Sequence, residues 1–125
     1  RIKIDSYQII MIAENQIILG KYDDAQENLD RIPADQRNAF WFYRQAQIEF
    51  DTFEYTSALE SINRALSSSV PEKFKPAFFK LQGDIYSQTK QYDLAMKSYS
   101  TAILVTSSNK FALVLKDAIE NLPVA

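Results

Sequence analysis

Apolar residues recur every three or four positions along most of the chain, which is the spacing that places them on one face of an α-helix. The segment around Ala58 is a clear example, since apolar side chains occur at Ala58, Leu59, Ile62, Ala65 and Leu66. No stretch shows the sustained alternation of apolar and polar residues that is typical of a half-buried strand. The pattern therefore predicts an all-α fold.

Prolines, glycine and turn-type residues divide this pattern into seven segments of helical length. Asp5 or Ser6 is placed to cap the first helix, and Gly20 is placed to end it. The second helix is expected to be short, because Pro33 arrives early. The expected helices are about Lys3–Leu19, Tyr22–Arg31, after Asp35 to Thr52, Tyr55–Ser68, Glu72–Lys90, Tyr92–Val105 and Asn109–Leu122.

A short motif occurs three times, with a tyrosine followed three positions later by an alanine. The pairs are Tyr22 and Ala25, Tyr55 and Ala58, and Tyr92 and Ala95. Twelve positions before each alanine lies another small residue, namely Ala13, Ala46 and Gly83 in turn. Small residues at matching positions allow two antiparallel helices to pack closely. The spacing predicts a helix–turn–helix unit of about 34 residues that is used three times.

The third unit carries the most complete pattern, which consists of Phe79, Gly83, Tyr86, Tyr92, Ala95, Tyr99 and Ala102. In this pattern the chain resembles the tetratricopeptide repeat family over about residues 6–109. The match has departures. The family has an aromatic residue three positions after the small residue, and units one and two carry Gln16 and Glu49 there.

The resemblance implies one domain of three antiparallel helix–turn–helix repeats that form a right-handed superhelix. The repeats are expected at about 6–38, 39–75 and 76–109, followed by a capping helix at about 110–122. That last segment has one apolar stripe, which would cover the open face of the third repeat. The stripe consists of Phe111, Leu115, Ala118, Ile119 and Leu122. An opening Arg1 in place of methionine is consistent with a domain excised from a longer protein.

Composition limits the chemistry that this chain can perform. It has no cysteine and no histidine, which excludes thiol catalysis, Ser–His triads and structural zinc sites of the usual kind. Its two glycines are too far apart for a phosphate-binding loop. The acidic group Asp23, Asp24 and Glu27 is interpreted as a complement to a helix dipole rather than as a metal site. We expect that the chain is not an enzyme and that it binds no cofactor and no metal ion. A carboxylate-dependent hydrolase is the weakest alternative.

Charge and hydropathy exclude two classes of partner. Fourteen basic and sixteen acidic residues are interspersed and give a net charge of −2, so no basic face for nucleic acid is expected. The longest apolar runs, such as those at 9–13 and 39–43, have five residues, far fewer than the roughly 20 that span a bilayer. No direct membrane insertion of this segment is expected. The cellular compartment stays open.

The aromatic run Phe40 to Tyr43 points in four directions, because successive helical residues are about 100° apart. Phe42 takes a core position, and Trp41 is expected to pack on a neighbouring unit. In the tetratricopeptide repeat family, the first helices of the repeats line a concave groove. The resemblance therefore implies that a peptide or helix of a protein partner binds there. The candidate contacts are Tyr7, Ile10, Glu14, Phe40, Tyr43, Arg44, Gln47, Phe50, Lys80 and Asp84.

One subfamily grips the C-terminal tails of chaperones with Lys, Asn and Arg side chains. The matching positions here are Ile10, Glu14, Arg44, Ala77 and Leu81, of which only one is basic, so this recognition is not expected.

Three further interpretations concern pairing and assembly. Lys80 and Asp84 are four residues apart and are expected to form a surface ion pair. Self-association into a homo-oligomer through the open ends of the array is an alternative function. A sensor or linker module of a larger membrane-associated or secretion-system protein is another.

Overall fold

The computed structural model describes residues 5–123, and each regular element in that range is helical. The helices are α1 (Ser6–Ile18), α2 (Tyr22–Asp30), α3 (Ala39–Asp51), α4 (Tyr55–Ser67), α5 (Lys75–Gln88), α6 (Tyr92–Val105) and α7 (Asn109–Glu120). Single 3₁₀ turns precede α3 and α5, at Ala34–Gln36 and Glu72–Phe74. The all-α prediction is confirmed, and so is the short second helix.

Side-chain caps mark the start of α1 and of α3. Asp5 caps α1, because its carboxylate accepts a hydrogen bond from the Gln8 backbone N–H at 2.9 Å and the Gln8 side chain accepts one from the Asp5 N–H. The predicted start at Lys3 lies outside the described residues. The third helix, predicted to start after Asp35, begins only at Ala39. Residues 34–36 form a 3₁₀ turn, and Asn38 caps α3 by accepting from the Trp41 N–H.

The chain divides into two compact units after Ser68. Unit 1 (Arg1–Ser68) contains the hairpins α1–α2 and α3–α4, and α3 contacts both α1 and α2. Unit 2 (Ser69–Ala125) contains the hairpin α5–α6 and the last helix, α7, which packs on α6. The three predicted hairpins and the additional C-terminal helix are thus present. The predicted organisation as one domain stays a prediction.

Each hairpin has one buried small residue on each of its two helices, at the positions that the sequence pattern predicts. In the first two hairpins both residues are alanine, as in Ala13 with Ala25. The third hairpin has Gly83 instead, and the Tyr99 ring lies directly on it. A Cβ atom at residue 83 would lie 2.5 Å from Cε1 of Tyr99. The positions equivalent to Tyr99 hold the smaller Leu29 and Ile62, so a larger ring on α6 is matched by a smaller residue on α5.

The turn inside each hairpin has the same backbone geometry. One residue takes a left-handed conformation, at φ 75° for Gly20, 67° for Phe53 and 64° for Lys90. The N–H of the following residue donates to a carbonyl of the preceding helix in all three turns, over 2.8 Å, 2.7 Å and 2.9 Å. This is the Schellman arrangement that ends a helix. The repeat therefore extends to the turns, although only one of them uses glycine.

The apolar stripe of α7 covers the core of unit 2. Leu115 is fully buried against Ala95, Tyr99 and Ala102 of α6. The rest of the predicted stripe packs against the same cluster, namely Phe111, Ala118, Ile119 and Leu122. The prediction that this helix covers the third hairpin is confirmed.

Replacing Gly83 with alanine is expected to lower the free energy of unfolding by about 1–2 kcal/mol. The added methyl group meets a buried ring, and this overpacking outweighs the better helix propensity of alanine. The double variant Gly83→Ala, Tyr99→Leu recreates the residue pair Ala13 and Leu29, so it should lose less than the sum of the single variants. Denaturant unfolding measures each value. A Gly83→Ala variant as stable as the parent chain would contradict the packing argument.

Replacing Lys90 with glycine is expected to raise the free energy of unfolding by about 0.5–1 kcal/mol, because a left-handed backbone is costly for residues with a Cβ. Gly20→Ala is the matched control. No atom lies within 4 Å of a Cβ built at residue 20, so this variant tests the left-handed backbone alone. We expect it to lower the free energy of unfolding by a similar amount. Thermal and urea unfolding test both. If Lys90→Gly is instead less stable than the parent chain, the Lys90 side chain stabilises the fold by more than the left-handed backbone destabilises it.

Candidate functional site

The predicted binding residues of unit 1 lie along one side of α1 and α3. Tyr7 of α1 is exposed, Ile10 is buried and Glu14 is half-buried. Four half-buried residues follow one stripe of α3, because they are three or four positions apart, and these are Phe40, Tyr43, Gln47 and Phe50. We call this set of α1 and α3 residues the first-helix face. Its aromatic side chains are concentrated on α3.

Arg44 joins the two helices of this face. Its Nη2 atom lies 3.0 Å from Oε2 of Glu14, and its Nη1 donates to Oε1 of Gln47 at 2.9 Å. The guanidinium also lies 5.0 Å from the centre of the Tyr43 ring. Its buried Nε atom has no hydrogen-bond partner. The positive charge of Arg44 is thus largely compensated by Glu14, within a contact between the first and second hairpins.

The two predicted residues of unit 2 form the expected ion pair, with Lys80 Nζ at 2.9 Å from Oδ2 of Asp84. The other oxygen of Asp84 accepts a hydrogen bond from the hydroxyl of Tyr99 at 2.5 Å. Burial raises the pKa of Tyr99 above its usual value, and the bond to Asp84 adds to this effect. Asp84 therefore links α5 to α6, and both of its oxygens are already used within the hairpin.

Trp41 packs on the neighbouring hairpin, which confirms the prediction. Its Nε1–H donates to the backbone carbonyl of Leu29 at 2.8 Å, in a buried position. Gln45 lies one turn further along α3 and exchanges two amide hydrogen bonds with Gln26 of α2, at 2.7 Å and 2.8 Å. Phe42, also buried, contacts the Trp41 ring edge to face. Polar contacts thus fix the second hairpin on the first.

Two arginines that the sequence interpretation missed lie against these rings. The Arg37 guanidinium is 4.2 Å from the Trp41 ring centre, and the Arg64 guanidinium is 4.2 Å from that of Phe42. Both line a cleft of about 320 Å³ on unit 1, together with Glu49. The only sequence signal was one basic residue before the aromatic run and one near the end of α4. Their contacts depend on how the helices pack.

A pair of polar side chains takes the place of the missing family aromatic in each of the first two hairpins. Oε1 of Gln16 accepts from the Asn28 side chain at 2.8 Å, and Oε1 of Glu49 accepts from the Ser61 hydroxyl at 2.7 Å. Burial raises the pKa of the half-buried Glu49 carboxyl, and the bond from Ser61 partly opposes this effect. The departures from the family pattern are therefore hydrogen-bonded links between paired helices.

Residues 5–123 contain neither a metal-ion cluster nor a membrane-spanning helix. Within that range, no group of three or more His, Cys, Asp or Glu side chains is placed to hold a metal ion. No helix in the same range has both the length and the apolar composition that crossing a bilayer needs.

Replacing Glu49 with glutamine is expected to stabilise the chain increasingly as the pH rises. The raised pKa means that the folded state favours the protonated carboxyl. The stability that the protonated Glu49 carboxyl contributes is fully present below pH 4.5, the ordinary pKa of this group. It is lost as the pH rises through the pKa of Glu49 in the folded state. Glutamine keeps an acceptor for Ser61 but does not titrate. Urea unfolding of both chains between about pH 4 and 7 measures the difference. A difference that is constant with pH would contradict the pKa shift.

Comparisons with known proteins agree with the repeat geometry. A model of the tetratricopeptide repeat-like domain matches residues 5–123, which is nearly the whole chain. No curated protein and no solved structure gives a significant match. Together with the three hairpins, their buried small residues and their equivalent turns, this match shows that the chain belongs to the tetratricopeptide repeat-like family of helical repeat domains.

Proposed function

We propose that the chain is a non-catalytic scaffold that holds a peptide or helix of a partner protein against the first-helix face of unit 1. The family match supports a helical repeat module of the kind that mediates protein interactions. The observation that carries the proposal is the stripe of partly exposed aromatic side chains on α3, Phe40, Tyr43 and Phe50, beside the exposed Tyr7 of α1. Aromatic side chains on a rigid helix are the usual anchors of such contacts.

The polar groups on this face favour a partner that contributes apolar side chains and backbone carbonyls. Glu14 compensates the charge of Arg44, so attraction of an acidic group is a minor part of recognition. Oε1 of Gln47 accepts from Arg44, which leaves the Gln47 amide N–H groups to donate to a ligand carbonyl. We expect a segment with apolar anchors between the aromatic rings and one or two hydrogen bonds to Gln47.

The other predicted contacts have smaller roles in this proposal. Ile10 is buried and supports the face from beneath, while Lys80 and Asp84 of unit 2 are engaged with each other. Their direct contact with a partner stays a prediction. Self-association and a linker role in a larger membrane-associated or secretion-system protein stay alternatives.

Replacing Phe40 and Tyr43 with alanine is expected to weaken partner binding by about 1–2 kcal/mol for each residue, or about five- to thirtyfold. The partner is first identified by co-purification and mass spectrometry with the parent chain and the double variant. The affinity of the identified segment is then measured by calorimetry. Leu104→Ala is the control, because Leu104 is 84% exposed and belongs to unit 2, whereas the first-helix face belongs to unit 1.

Circular dichroism of each variant separates binding from folding. Unchanged affinity with unchanged helix content would reject the two aromatic anchors. Loss of helix would assign Phe40 and Tyr43 to the core of unit 1 instead.

A further inference from the structure

Phe53 combines two unfavourable features at one position. Its backbone is left-handed at φ 67°, which has an energetic cost for a residue with a side chain, and the residue is 77% exposed. Glycine fits the same backbone without this cost, as at Gly20 in the equivalent turn. The Phe53 ring meets that of Tyr55 edge to face, with 6.3 Å between the ring centres. Because most of the residue is still exposed, this contact contributes little to folding, and an interaction outside the fold is the better explanation.

Other exposed apolar side chains lie in the neighbouring turn. Ile18 is 75% and Leu19 is 68% exposed at the end of α1. The two turns are joined by the Tyr22 hydroxyl, which donates to Oδ2 of Asp51 at 3.1 Å. We call Ile18, Leu19 and Phe53 the turn surface. It lies at the ends of α1 and α3 and consists of other residues than the first-helix face, which it adjoins through Tyr55, whose ring centre is 6.3 Å from that of Phe53 and 5.8 Å from that of Phe50.

The third hairpin shows that this apolar surface is not a requirement of the fold. Its turn has a left-handed residue at the same position and the same helix-ending hydrogen bonds, but its side chains are those of Gln88, Thr89 and Lys90. Polar residues therefore serve this turn equally well. The apolar side chains of the first two turns are a property of unit 1.

The chain segments that carry the turn surface are rich in acidic residues. Residues 18–24 and 51–55 contain Asp23, Asp24, Asp51 and Glu54, and the one basic residue in these segments is Lys21. In the third turn, Lys90 is balanced by Asp93. Apolar groups within an acidic rim complement a ligand that has an apolar stripe flanked by Lys or Arg. The same rim repels an anionic membrane.

We infer that the turn surface of unit 1 binds a basic amphipathic segment of a partner protein. Ile18, Leu19 and Phe53 contact the apolar stripe of this segment, and the four carboxylates face its basic residues. The inference is independent of the proposed groove function, because it involves different residues of α1 and α3.

The test uses the 125-residue chain and two synthetic amphipathic helical peptides of about 18 residues, one of Leu and Lys and one of Leu and Glu. We expect the Leu/Lys peptide to bind, more weakly at higher salt, with NMR shifts centred on Leu19 and Phe53. The Leu/Glu peptide should not bind. The triple variant Ile18→Gln, Leu19→Thr, Phe53→Lys, which copies the third turn, should bind the Leu/Lys peptide at least about tenfold more weakly.

Three further variants separate folding and location from binding. Phe53→Gly removes the ring and the backbone strain, so it should be at least as stable as the parent chain but bind more weakly. Leu104→Thr, at an exposed apolar position of unit 2, should bind as the parent chain does. The Phe40→Ala, Tyr43→Ala variant should also keep its affinity, so the two proposed surfaces succeed or fail separately.

Several results would overturn the inference. Equal binding by the parent chain and the triple variant, or equal binding of the two peptides, would remove the turn surface as the site. Binding of phosphatidylglycerol vesicles that is lost in the triple variant would assign the surface to a membrane. A concentration-dependent mass that is lost in that variant would assign it to a second copy of the chain.

Discussion

The close contact between paired helices is the constraint on which this structure depends. Each hairpin needs a small residue at the crossing, and the third one shows how strict the limit is, because Gly83 lies under the ring of Tyr99 with no room for a methyl group. Once the helices approach this closely, a short turn must reverse the chain. The left-handed residues at Gly20, Phe53 and Lys90 provide that reversal. Helix spacing and turn geometry are thus set together.

Polar contacts are prominent where the first hairpin packs on the second. Within a hairpin, buried small residues are accompanied by hydrogen-bonded links such as Gln16 with Asn28 and Glu49 with Ser61. Between these two hairpins, directional bonds accompany the packing, among them the Trp41 bond to Leu29 and the pairing of Arg44 with Glu14. Small apolar surfaces permit sliding, whereas a hydrogen bond is satisfied in one register only. The polar contacts therefore specify the arrangement, and the apolar contacts supply most of the binding energy between helices.

Much of the fold could be predicted from the sequence, because helical periodicity and the repeated Tyr–Ala spacing are local signals. The Lys80–Asp84 pair was predictable for the same reason, since both residues are on one helix. The start of α3 was not, because the 3₁₀ turn and the Asn38 cap compete with a longer helix that propensity alone allows. The partnership of Arg44 with Glu14 also escaped prediction. It depends on the register between two hairpins, which no local pattern encodes.

The position of Trp41 gives the molecule an optical marker. It is the one tryptophan of the chain, and its indole is buried at the junction of α2 and α3 in unit 1. Its fluorescence therefore reports on the docking of the first two hairpins, while far-ultraviolet circular dichroism reports on helices of both units. Comparing the two signals during unfolding shows directly whether unit 1 loses its structure in the same step as the rest of the chain.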